Sequence, residues 1–72
     1  GVSQNNTKAV EYFERAANLG NSKALFNLGN CYSKGEGVKQ NSIKAIEYFK
    51  RAADLGNSDA MSKLQELTKD NL

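Results

Sequence analysis

An internal repeat with a period of thirty-six residues constrains this chain more than any other feature. The stretch Ala9-Val10-Glu11-Tyr12-Phe13-Glu14-Arg15-Ala16-Ala17-Asn18-Leu19-Gly20 recurs as Ala45-Ile46-Glu47-Tyr48-Phe49-Lys50-Arg51-Ala52-Ala53-Asp54-Leu55-Gly56. The same shift aligns Gly1-Val2 with Gly37-Val38 and Asn21-Ser22 with Asn57-Ser58. Self-similarity at such a period marks stacked supersecondary units, none of which can bury its apolar face alone. The expected fold is all-α, a solenoid of about four helices. With only about two units in 72 residues, either modest stability or help from further repeats is expected, since roughly three units are normally needed.

Residues 1–6 read as a loop matching 37–42, so the chain starts in the middle of a unit, and the missing initiating Met agrees with an excised segment. A first helix is expected from about Asn6 or Thr7 to Leu19. Ala9, Tyr12, Phe13, Ala16 and Ala17 recur at spacings of three and four, and Val10 widens the stripe. Tyr12, Phe13, Tyr48 and Phe49 are accordingly read as core. Glu11–Arg15 and Glu47–Arg51 have the four-residue spacing of helical ion pairs. Gly20 and Gly56 are helix stops, followed at once by the N-capping candidates Asn21-Ser22 and Asn57-Ser58.

A second helix is expected to about Lys34, with Leu25, Leu28, Gly29 and Tyr32 on one stripe and Ala24 and Cys31 beside it. A glycine inside a helix costs about 1 kcal/mol relative to alanine, so Gly29 implies close approach of a neighbouring helix. Gly35-Glu36-Gly37 ends that helix, and Val38 is expected to fold back over the pair. A third helix, about Ser42 to Leu55 with Asn41 as N-cap, repeats the first. The fourth, about Ser58 to Lys69, starts like the second through Ala60, Met61 and Leu64, with Leu67 on the inward stripe. It then carries Gln65 and Thr68 where Gly29 and Tyr32 stood, which suits a water-facing cap. Connections this short make successive helices antiparallel neighbours.

The chemistry within reach is narrow. The chain has no His and one Cys, so neither a Ser-His-Asp triad nor a conventional zinc site can be assembled, and no enzyme activity and no cofactor are expected. Cys31 reads as a small apolar filler, with a reactive thiol as the alternative; a lone cysteine makes no intrachain disulfide and fits a reducing compartment. A net charge of +2, with basic and acidic residues interspersed, argues against a nucleic-acid partner. No apolar run approaches the roughly 20 residues of a membrane helix, and no secretory leader is visible. Gly35-Glu36-Gly37 is no phosphate loop, because no Lys-Ser or Lys-Thr opens the next helix. Asn5-Asn6-Thr7 spells a glycosylation acceptor, but in an Asn-rich chain so short a match reads as chance.

Leu28-Gly29-x-x-Tyr32, then Ala45, Phe49 and Ala52, resembles the tetratricopeptide repeat, with about four extra residues between the helices of the unit. That insertion, Gly35-x-Gly37-Val38 followed by Lys44-Ala45-x-x-Tyr48-Phe49-x-x-Ala52-Ala53-x-x-Gly56, resembles the Sel-one-like repeat. The resemblance divides the chain into the second half of a unit (1–20), a complete unit (21–56) and the first half of another (57–72). Asn5 and Asn41 stand where many members carry Asp, a change that keeps capping ability. The resemblance implies a right-handed superhelix of antiparallel helix pairs that serves as an adaptor. A cysteine-rich bacterial branch is linked to β-lactam chemistry, but it staples its helices with paired cysteines, which Cys31 alone cannot do.

In related arrays the first helix of each unit lines the concave face. Carried onto this sequence, the candidate partner-binding residues are Lys23, Phe26, Asn27, Asn30, Ser33 and Lys34, with Asp59, Ser62, Lys63, Glu66, Lys69 and Asp70 in the last helix. Phe26 stands out as an aromatic off the Leu25-Leu28-Tyr32 stripe whose counterpart is Ser62. It serves either as an anchor for a client or as packing between units. The partner implied is a protein or peptide; the rival reading is a structural segment of a longer array with no client of its own. The helix around Tyr12-Phe13-Ala16 lacks one of the two neighbours it would have in an array. Its apolar side is expected to be covered by an upstream repeat or by self-association.

Overall fold

The repeat folds as α1 (Gln4–Asn18), α2 (Ser22–Lys34), α3 (Ser42–Asp54) and α4 (Ser58–Thr68), each packed on the helix that precedes it in sequence. This computed structural model describes residues 4–69. The helix ends fall within a residue of expectation except at the start of α1. The expected loop over residues 4–6 is helical, and residues 1–3 lie outside the described residues. The second copy explains the difference. There the Asn41 N–H donates to the Tyr32 carbonyl at 2.9 Å, and Gln40 Nε2 donates to the Ser33 carbonyl at 2.8 Å. Those acceptors hold the chain extended before α3. Among the described residues no helix offers the first copy the same acceptors.

One asparagine makes each tight reversal. At the end of α1 the Gly20 N–H reaches the Ala17 carbonyl at 2.9 Å and the Asn21 N–H reaches the Ala16 carbonyl at 3.1 Å, the paired bonds that close a helix on a left-handed residue. Asn21 then opens α2, its Oδ1 accepting from the Ala24 N–H at 3.0 Å. Asn57 does the same between α3 and α4. Its N–H donates to the Ala52 carbonyl at 3.0 Å and its Oδ1 accepts from the Ala60 N–H at 2.9 Å. A backbone that reverses in so few residues leaves the two helices side by side and antiparallel.

The core runs through the α2–α3 pair. Leu25, Leu28, Ala45, Phe49, Ala52 and Ala60 are buried, joined by Val10, Ala17 and Ala24. A Cβ added to Gly29 would lie 2.5 Å from Cε1 of Phe49, so the glycine exists to let that ring in. Beside this contact Tyr32 and Tyr48 stack, with centroids 5.5 Å apart and planes 17° from parallel. Lys44 sits over the Tyr32 ring at 5.3 Å and Arg51 over the Tyr48 ring at 5.7 Å.

The connection after α2 turns back onto α1. Gly37 has φ +76°, and a Cβ there would strike the Asn6 carbonyl and come within 2.8 Å of Val10 Cγ2. Val38 packs against the core beside it, as expected. Three other expectations are corrected. Tyr12 is no core residue: it is 61% exposed, because among the described residues no helix covers its side of α1 as Tyr32 covers Tyr48. Met61 and Leu67 are exposed rather than inward, since α4 packs chiefly on α3. The ion pairs Glu11–Arg15 and Glu47–Arg51 do not form; Arg51 lies instead on the Tyr48 ring, and among the described residues Lys63–Glu66 is the ion pair present.

Candidate protein-binding groove

Two helices that are not neighbours in sequence, α2 and α4, face one another across α3. The thirty-six-residue period makes them equivalent: each begins at a capping Asn and presents Ala and Leu to the core. They differ on the side away from it. Phe26 on α2 is replaced by Ser62 on α4, and both line an open groove of about 1030 Å³.

Phe26 is half-buried and forms the α2 side of the groove, while Asp59, Ser62, Lys63, Gln65, Glu66, Thr68 and Lys69 form the α4 side. The inner part of Phe26 packs on the core, its ring centroid 5.7 Å from that of Phe49 at an interplanar angle of 50°. The two roles set against each other for Phe26 are thus compatible in geometry, because the ring is wide enough to touch α3 and still line the groove. Burying an aromatic completely is worth more than burying it halfway, so an apolar group laid on Phe26 gains from the area that remains uncovered.

The α4 wall is polar and of mixed sign. Lys63 Nζ and Glu66 Oε2 are 3.6 Å apart and exposed, a pairing worth about 0–1 kcal/mol. Asp59 lies in the first turn of α4 and Lys69 just beyond its last, so the two ends of the wall carry opposite signs. Thr68 Oγ1 donates to the Leu64 carbonyl at 2.7 Å, which draws its hydroxyl into its own helix. A single aromatic surrounded by alternating charges and hydroxyls suits the mixed chemistry of a peptide. It lacks the clustered cations that bind a polyanion.

Of the residues expected to meet a partner, the structure gathers Phe26, Asp59, Ser62 and Glu66 with Lys63 and Lys69. Lys23, Asn27, Asn30, Ser33 and Lys34 lie along α2 outside the groove lining, and the Ser33 carbonyl is occupied by Gln40. Asp70 lies outside the described residues. Gln65 and Thr68 join the lining although the sequence pointed only to their loss of packing. Polar residues at positions that are packed in the other copy were the available signal.

Cys31 packs against the core, and burial pushes its thiol above its ordinary pKa, with Glu36 adding to the rise and Lys34 opposing it. Burial likewise raises Tyr32 and Tyr48. Among the described residues no cluster of three or more His, Cys, Asp and Glu side chains is placed to hold a metal. Among the same residues no helix is long and apolar enough to cross a membrane.

Comparison with known proteins agrees with this architecture. The family model described as Sel1 repeat matches residues 1–21 and 22–57. The chain is similar in structure to a Sel1 repeat protein from Oxalobacter formigenes, known from a crystal structure, with a TM-score of 0.87 and 34% identity. The match covers 90% of this chain and 27% of that protein, so the chain spans about a quarter of the relative's length. No curated protein gives a significant sequence match.

Proposed function

This chain belongs to the Sel1 repeat family, and from that premise we propose that it is a scaffold module that holds a peptide or protein segment in the groove between α2 and α4, anchored on Phe26. Sel1 repeats are in general protein-interaction modules of a non-enzymatic helical type. What supports the finer reading here is one observation: an aromatic side chain left half-uncovered on the wall of an open groove whose facing helix is polar. Aromatic groups in such settings carry a large share of binding energy at interfaces.

The test uses a random-peptide display library selected on the immobilised chain, followed by affinity measurements on Phe26→Ala and Ser62→Arg. Phe26→Ala is expected to weaken the selected peptide by about tenfold or more, together with some loss of stability from the Phe49 contact. Ser62→Arg fills the groove from a surface position and is expected to weaken binding with little effect on the melt. Peptide affinity unchanged in both variants, with stability lost in the first, means that Phe26 serves only to pack the units. A second reading, a segment of a longer array, is favoured by the apolar row left open on α1.

A further inference from the structure

The charges on α2 and α4 are not equivalent, and one of them has no role in the fold. Lys63 and Glu66 pair with each other at 3.6 Å. Asp59 stands in the first turn of α4, Lys34 in the last turn of α2 and Lys69 at the C-cap of α4. Each of these three sits at the helix end whose dipole suits its sign. Lys23 does not. It stands in the first turn of α2, where the dipole disfavours a cation, and α2 carries no acidic residue to offset it. It is exposed and makes no ion pair among the described residues. Lys44 has the same unfavourable place in the first turn of α3, but it lies over the Tyr32 ring at 5.3 Å and so has a packing role. Among the described residues no ring holds Lys23 in this way.

The other copy shows that the repeat does not require this lysine. The equivalent position in α4 is Asp59, the sign its helix end prefers, and one turn on Phe26 is matched by Ser62. So α2 departs from its own interest at two positions, a cation at the wrong end and an aromatic left half-buried beside an open groove. The two are three residues apart and share one stripe of the helix. Departures of this kind from local rules gather at functional sites.

Resting on the groove reading above, we infer that the bound segment carries a carboxylate beside its apolar anchor, with the anchor on Phe26 and the carboxylate meeting the Lys23 ammonium. Lys23 and Phe26 are about 4.5 Å apart along the helix axis. Neighbouring side chains on one face of an extended segment are about 6.6 Å apart, a difference that the flexible lysine stem takes up. Asp59 on the facing wall repels the same carboxylate, which sets it on the α2 side. The partner is thus an Asp or Glu within two residues of a large apolar side chain, held by one charge and one ring.

The test selects a random-peptide display library in parallel on the native chain and on Lys23→Glu, and then titrates the strongest native peptide. Native selections are expected to enrich Asp or Glu within two residues of an apolar residue, and Lys23→Glu selections are expected to place Lys or Arg there instead. Lys23→Glu is expected to weaken the native peptide about fivefold to tenfold while its melt stays at or above that of the native chain. Lys50→Glu, the same charge change on α3, is expected to leave affinity unchanged. Changing the peptide's own acid to its amide is expected to remove most of the difference between native and Lys23→Glu. Peptides that depend on Phe26 but carry no acid, or an equal loss from Lys23→Glu and Lys50→Glu, overturn this inference and leave the groove reading standing. Peptides that ignore Phe26, or none selected at all, overturn both.

Discussion

Phe49 lies between Gly29 and Phe26, and its ring shows how a single residue links the two halves of the complete unit. Gly29→Ala brings two opposed effects: alanine returns about 1 kcal/mol of helix propensity, while overpacking costs about 1–3 kcal/mol. The ring is fully buried and cannot swing aside, so overpacking wins. Urea denaturation is expected to show a net loss of up to about 2 kcal/mol, and a stabilised variant would contradict the contact. Cys31 gives a second residue-scale prediction. Its pKa is raised by burial, as are those of Tyr32 and Tyr48. For groups raised in the folded state, the stabilising contribution is present below the ordinary thiol and phenol range and is lost as pH rises through the folded values. Melting temperature is expected to hold near neutral pH and to fall under alkaline conditions. Reaction of the Cys31 thiol with a disulfide reagent is expected to be slower in the folded chain than in urea, with its pH profile displaced upward.

At the scale of the helix, the signals that lie within one segment were legible and those that depend on a neighbour were not. Asn21, Asn41 and Asn57 could be named as caps from sequence because an N-cap acts on a backbone N–H three residues away. The purpose of Gly29 was legible too, since an unexplained helix-interior glycine has few other physical causes. Tyr12 was misread because its stripe is the same as that of Tyr48, and periodicity cannot say whether the facing helix is there. Arg51 was misread because a helix puts it within reach of both Glu47, four residues back, and Tyr48, three residues back, and spacing cannot say which it meets; it lies on the Tyr48 ring. The caps allow a prediction that separates the helices. Asn41→Ala and Asn57→Ala should each cost about 0.5–2 kcal/mol locally. α3 is packed on both sides and α4 on one. Hydrogen exchange is therefore expected to show Asn57→Ala speeding exchange within α4 alone, while Asn41→Ala lowers global stability. Uniform loss across the chain from Asn57→Ala would mean that α4 unfolds together with the rest.

At the scale of the molecule, the repeat dictates the frame and the deviations from it make the surfaces. The groove lies where Phe26 on α2 borders the polar side of α4 at Ser62, and among the described residues no helix stacks on Tyr12 as Tyr32 stacks on Tyr48. Most of the groove, all but Gln65 and Thr68, was legible as outward positions on α2 and α4. The part contributed by Gln65 and Thr68 was not, since the sequence shows that they lose a contact without showing what space they then border. The central claim, that the side of the molecule between α2 and α4 receives the partner, is tested most directly by mapping a selected peptide on the isotope-labelled chain by amide chemical shift. The account predicts perturbations at Phe26, Ser62, Gln65 and Glu66, with α1 and the outward face of α3 unchanged. Perturbations confined to α1 or α3, with Phe26 and Ser62 unmoved, would contradict it.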